Sequence, residues 1–175
     1  MKRVAKFYRV SFEQFLKDYC KELGLDENNS ENIVEVRRIW DTIKLPKRST
    51  KYSAGYDIRS TMNVVLQPKE TVKIPTGIKV KMDEGWVLKI YPRSGMGFKF
   101  RAQLDNTVGI IDGDYIDSEN EGHIFIKLTN DTYEDKVIEI NEGNGICQGI
   151  FIEYGVTIDD DTDGIRNGGF GSTGR

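Results

Sequence analysis

All four prolines of this 175-residue chain fall after Lys44, and together with glycines they cut the sequence into short pieces. Pro46, Gly55, Pro68, Pro75, Gly77, Gly85, Pro92, Gly95 and Gly97 leave no room for a long helix, because proline removes a backbone donor and glycine weakens any regular interior. Between the breaks lie runs with alternating apolar residues: 63–66, 71–74, 77–81, 86–91, 123–128, 137–140 and 146–154. Many short strands at this spacing predict an all-β barrel or sandwich. A βαβ rhythm and an internal repeat are both absent, so a parallel sheet and a solenoid are excluded.

The first 43 residues read differently. Residues 2–10 form a short strand pattern. Ser11-Phe12-Glu13-Gln14 is a capping-box start, Phe12, Phe15, Leu16, Tyr19 and Leu23 recur at helical spacing, and Gly24 is a stop. Asn28-Asn29-Ser30 marks a second start, after which Ile33, Val34, Val36, Ile39, Trp40 and Ile43 are expected on one face. The expectation is therefore one domain over 1–175, mostly β, with a helical insertion at 11–43 that either caps the core or docks a partner. A mobile glycine-rich arm is expected over 164–175.

A net charge of −3 gives no general attraction to nucleic acid or to an anionic membrane. Only Cys20 and Cys147 are present, too few and too far apart for a disulfide framework or a zinc site. With no apolar run of bilayer length and no leader pattern, the chain reads as cytoplasmic.

Five polar or glycine-rich clusters interrupt the strand pattern. Ala54-Gly55-Tyr56-Asp57 places a glycine and a carboxylate at a strand start. Pro92-Arg93-Ser94-Gly95-Met96-Gly97 combines a guanidinium, a hydroxyl and pliant backbone, which suits phosphate oxygens and equally suits a surface turn. In Asn106–Tyr115, Asp112 follows the apolar pair Ile110-Ile111, as a turn residue with Gly113 or as a positioned base. Gly143-Asn144-Gly145-Ile146-Cys147-Gln148 enters an apolar run carrying one amide; its Cys147 reads as a small core residue. The last cluster, Arg166 to Arg175, surrounds Phe170 with glycines and hydroxyls.

In type and order these clusters resemble the five motifs of the trimeric dUTPases, from about Leu45 to the C-terminus. The resemblance implies a jelly-roll-like β-barrel subunit and a homotrimer with active sites shared at subunit boundaries. It implies hydrolysis of dUTP to dUMP and pyrophosphate. Asp112 would orient and deprotonate the water that attacks the α-phosphorus in line. Arg93, Ser94, Gly95 and Gln148 would contact the phosphates. Asn106 and Gly109 would belong to the uracil hairpin, and Tyr115 would pack under the deoxyribose and exclude a 2′-hydroxyl. Phe170 would stack on uracil, with Arg166, Gly171, Ser172 and Thr173 closing over the γ-phosphate. Mg2+ would be bound through the triphosphate and water, with Asp57 acting on it through water and no direct protein ligand.

Two departures stand out. Ile116 to Glu121 separates Tyr115 from a glycine that family members place soon after that tyrosine, and Arg166 lies one residue closer to Phe170 than usual. His123, the only histidine, reads as structural. Two further readings stay open: dCTP deamination, alone or alongside dUTP hydrolysis, motivated by Glu119 and Glu121, and a nucleotide-sensing regulatory protein that uses residues 11–43 to bind a partner.

Overall fold

The computed structural model describes residues 2–164. Arg166, Phe170, Gly171, Ser172 and Thr173, with nearly all of the glycine-rich arm, therefore lie outside the described residues. Strand β1 (Ala5–Arg9) leads into helices α1 (Phe12–Leu23) and α2 (Ser30–Thr42). The Ser11 hydroxyl accepts the Gln14 N–H and Gly24 closes α1 in the left-handed region at φ 66°. The Asn29 side chain accepts the N–H groups of Glu31 and Asn32 to start α2. These caps satisfy backbone donors and acceptors that a helix end leaves over.

Strands β2 (Lys47–Arg48), β3 (Tyr56–Arg59), β4 (Val64–Leu66), β5 (Thr71–Pro75), β6 (Ile78–Met82) and β7 (Trp86–Pro92) follow. Helix α3 (Ser94–Phe100), β8 (Ala102–Leu104), β9 (Gly109–Ile111) and a 3-10 turn (Gly113–Asp117) come next. Strands β10 (Phe125–Asn130), β11 (Ile138–Ile140) and β12 (Gly145–Glu153) complete the described elements.

The strands pair antiparallel into four separate sheets: β1-β6, β5-β10-β8, β11-β4 and β2-β3-β12-β7-β9. Among the described residues none of these sheets closes on itself. The expectation of a mostly β, jelly-roll-like barrel is thus corrected: the fold is mixed α/β, with open antiparallel sheets and two long helices. Closure requires the last strand of a sheet to bond the first. Here the largest sheet ends in a two-residue strand, β2, and a three-residue strand, β9, which do not meet. Proline also ends β5 and β7, where the missing N–H breaks the ladder.

Two cores result. The larger lies between the sheets and contains Ile58, Ile74, Leu88, Ile90, Ile126 and Leu128. The smaller joins Val10, Phe12, Phe15, Tyr19, Val36 and Ile39 beneath the helices, and Ile43 and Met62 pack against both. Val34 departs from its expected face: it is 70% exposed, because Val36 and Ile39 define the stripe that α2 buries. Cys147 is fully buried, and that burial pushes its thiol well above the usual range, so it behaves as core.

Candidate active site

Strand β12 is the spine of the candidate site. It lies between β3 and β7, so Gln148 sits opposite Asp57 on one side and Tyr91 on the other. Where β7 stops at Pro92, Arg93 turns the chain into α3 and its guanidinium swings back over β12. Its Nε lies 3.2 Å from Asp57 Oδ1, and its Nη1 donates to the Gly145 carbonyl at 3.3 Å. The Gln148 amide donates to the Pro92 carbonyl at 3.4 Å. Asp57, Arg93 and Gln148 are thereby gathered at one corner, with Ser94 and Gly95 exposed on the first turn of α3. The first N–H groups of a helix lack intrahelical partners, which suits them to anions.

Two glycines shape this corner. A Cβ on Gly55 would come within 2.5 Å of Gln148 Oε1, and one on Gly145 within 2.6 Å of Arg93 Nη1. Any side chain at either place displaces the Gln148 amide or the Arg93 guanidinium. Neither position was singled out as a site residue from sequence, although both sit inside the glycine-rich clusters.

The second group of candidates lies on the other side of β7. Strand β9 pairs with it through Gly109↔Ile90 and Ile111↔Leu88. Asn106 and Gly109 help to line a cleft of about 320 Å³ with Leu104, Ile110, Phe125 and Lys127. Asp112 follows β9 directly, is exposed, and stands at the N-cap position of the 3-10 turn without a side-chain capping bond. Tyr115 is buried, its hydroxyl donating to the His123 carbonyl at 2.8 Å and accepting from Asn120 Nδ2 at 3.0 Å.

The two groups do not come together within one chain. Asp112 lies beyond the Leu88–Ile111 pair, towards the start of β7, while Arg93 follows the end of that strand. At a rise of about 3.3 Å per residue, Leu88 and Pro92 alone are about 13 Å apart, and Asp112 and Arg93 lie further out in opposite directions.

The segment after Tyr115 is tied to helix α1. The Glu121 carboxylate accepts from the Ser11 backbone N–H at 3.0 Å, from the Ser11 hydroxyl, and from Lys79 Nζ at 2.7 Å. Burial pushes the Glu121 carboxyl up, but these bonds outweigh it and hold it at about 2. His123 is fully buried; its Nε2 accepts the Gly77 N–H at 2.8 Å, and its Nδ1 lies 2.6 Å from Asp18 Oδ2. An acceptor Nε2 leaves the ring proton on Nδ1, so His123 donates to the Asp18 carboxylate. None of Ser11, Asp18 or Asn120 was expected as a partner of this segment. Asp18 carried the one available signal, a charge three residues beyond Phe15 on an apolar stripe.

Among the described residues no group of three or more His, Cys, Asp or Glu side chains could hold a metal ion, and no helix is long and apolar enough to cross a membrane.

Comparison with known proteins adds an independent finding. A family model described as dUTPase matches residues 41–174. The deoxyuridine 5′-triphosphate nucleotidohydrolase of Lactococcus lactis subsp. lactis (strain IL1403) is 45% identical over 135 residues, spanning 75% of this chain and 89% of that protein. Its counterpart in Finegoldia magna is 41% identical over 138 residues, 74% of this chain and 91% of the other. The crystal structure of dUTPase from Streptococcus mutans is similar with a TM-score of 0.57 at 37% identity, covering 64% of this chain and 87% of that one. The family match begins at residue 41, so β1, α1 and nearly all of α2 lie outside it.

Proposed function

This chain belongs to the dUTPase family and hydrolyses dUTP to dUMP and pyrophosphate, and on that premise we propose a homotrimer whose active sites are each divided between subunits. One subunit supplies the phosphate corner: Arg93, Gln148 and the first turn of α3 at Ser94 and Gly95. Its neighbour supplies Asn106, Gly109, Asp112 and Tyr115. The observation that carries this reading is the register of β7, whose opposite ends hold Arg93 and Asp112. A nucleotide α-phosphate against Arg93 is out of reach of Asp112 in the same chain and within reach of a second copy.

Asp112 orients a water in line with the α-phosphorus and takes its proton as the new P–O bond forms and pyrophosphate leaves. Arg93, Gln148 and the α3 N–H groups hold the negative charge that builds on the phosphate oxygens, so positioning and charge neutralisation supply the rate. The Tyr115 ring lies under the deoxyribose and leaves no space for a 2′-hydroxyl.

The donor set suits Mg2+ carried in by the substrate. Asp57, half-buried beside Arg93, is placed to reach a metal-bound water. When bound, the ion would neutralise triphosphate charge, while every proton transfer stays with Asp112 and water. No observation favours deamination, since the Glu121 carboxylate is taken up by Ser11 and Lys79.

The test is pyrophosphate release from dUTP, dCTP and UTP in the presence of magnesium. Release from dUTP with little from dCTP or UTP, and loss of at least about a hundredfold in Asp112→Asn, is expected. Near-normal turnover in that variant refutes the assignment of the base.

A further inference from the structure

Resting on the reading of Tyr115 as the sugar contact, we propose that helix α1 sets the discrimination between deoxyribose and ribose, by fixing the Tyr115–His123 segment through Asp18 and Glu121. The contact joins two segments: residues 1–40, which lie outside the family match, and Ile116–Glu121, which follows Tyr115. They meet each other. Ser11 and Asp18 come from one, Glu121 from the other, and His123 stands where the second rejoins the sheet.

The connection runs through bonds with little slack. Asp18 holds the His123 ring, and the Gly77 N–H fixes that ring from its other nitrogen. The His123 carbonyl accepts from the Tyr115 hydroxyl and from Asn120 Nδ2. At the turn, Glu121 and Gly122 both adopt positive φ, 57° and 71°. A Cβ on Gly122 would lie 2.6 Å from Ile116 Cα and 2.8 Å from the Tyr115 carbonyl oxygen, so the turn packs against the segment that bears the ring. Steric rejection of a hydroxyl depends on a ring that cannot retreat, because close-packed groups transmit small displacements. Asp18 and Glu121 are positioning residues in this scheme: neither touches the nucleotide.

The test uses the full chain with Asp18→Ala, Glu121→Ala and, as a reference, Tyr115→Leu. For each, kcat and KM are measured with dUTP and with UTP beside the melting temperature. In Asp18→Ala and Glu121→Ala the preference for dUTP over UTP in kcat/KM should fall about tenfold, through faster use of UTP and a raised KM for dUTP, with kcat on dUTP within about twofold. A purely structural role would lower the melting temperature and leave that ratio alone. Should Asp18→Ala fail to fold, Glu121→Ala, at the rim of the contact, decides. An unchanged ratio in the folded variants overturns the proposal. If the ratio falls in Tyr115→Leu only, the link to α1 is wrong and the sugar contact stands; if it holds in Tyr115→Leu as well, the sugar reading itself is wrong.

Discussion

A site divided between subunits can be demonstrated by mixing two dead proteins. Arg93→Gln removes the guanidinium from the phosphate corner, and Asp112→Asn removes the base from the other end of β7. Each pure variant lacks one half of every site and should retain no more than about a hundredth of wild-type turnover. Co-refolded in equal amounts, the two distribute at random in a ring of identical interfaces. A site then draws an intact Arg93 from one subunit with a chance of one half and an intact Asp112 from the neighbour with the same chance, so about a quarter of sites are complete. Pyrophosphate release from dUTP should recover to about a quarter of wild type. The complementary mixture, wild type with the Arg93→Gln/Asp112→Asn double variant, should also give about a quarter if the halves come from different chains, and about a half if they come from one. No recovery in the first mixture with half activity in the second would refute the reasoning from strand register.

Two further outcomes follow from the geometry. Gly55→Ala puts a carbon within 2.5 Å of Gln148 Oε1; the amide must swing away, and kcat/KM for dUTP should drop about tenfold with little change in melting temperature, whereas unchanged kinetics would remove Gln148 from the site. The second concerns pH: the Glu121 carboxyl is held at about 2 against an ordinary 4.5. A carboxyl depressed by folding adds stability that is complete above the unfolded value and is lost as pH falls towards the folded one. Acid titration of wild type should therefore show a loss of stability between about pH 4.5 and about pH 2 that is smaller in Glu121→Gln, and superimposable curves would contradict the bonding described.

Local pattern made the helices legible and the sheets only half so. Ser11, Gly24 and the apolar spacing of Phe12, Phe15 and Tyr19 mark α1 because capping and stripe are both local. Alternation along β7 or β10 reveals which residues face inward, but it carries no information on which strand pairs with which. That is why alternation left a barrel and a sandwich both open, while among the described residues the strands form four open sheets. Helix α3 was hidden by Gly95 and Gly97, each a cost of about 1 kcal/mol in a helix interior. A left-handed Arg101, whose N–H reaches the Gly97 and Met96 carbonyls, ends it. At the site, residue types marked Asp112, Arg93 and Gln148 as candidates. The separation of Asp112 from the Arg93–Gln148 corner is a matter of register and cannot be read from any one segment. The Asp18–His123 bond joins residues 105 positions apart, and no short-range rule reaches that far.

The position of Asp112 explains why this chain needs a clamp at all. Its carboxylate is exposed, and the strand that leads to it, β9, has three residues and one bonded neighbour. An edge strand of that length is a weak anchor, yet the base proposed at Asp112 must be held to within about half an ångström of its productive place. The chain beyond Asp112 therefore has to be fixed at its far end too. Ile116–Glu121 puts six residues between Tyr115 and Gly122, and the cost of ordering such a segment grows with its length. The bonds from Ser11, Asp18 and Lys79 offset that cost, two of the three coming from the segment that contains α1. The longer loop and the helix are thus one structural device: the loop reaches far enough to be held, and the helix holds it.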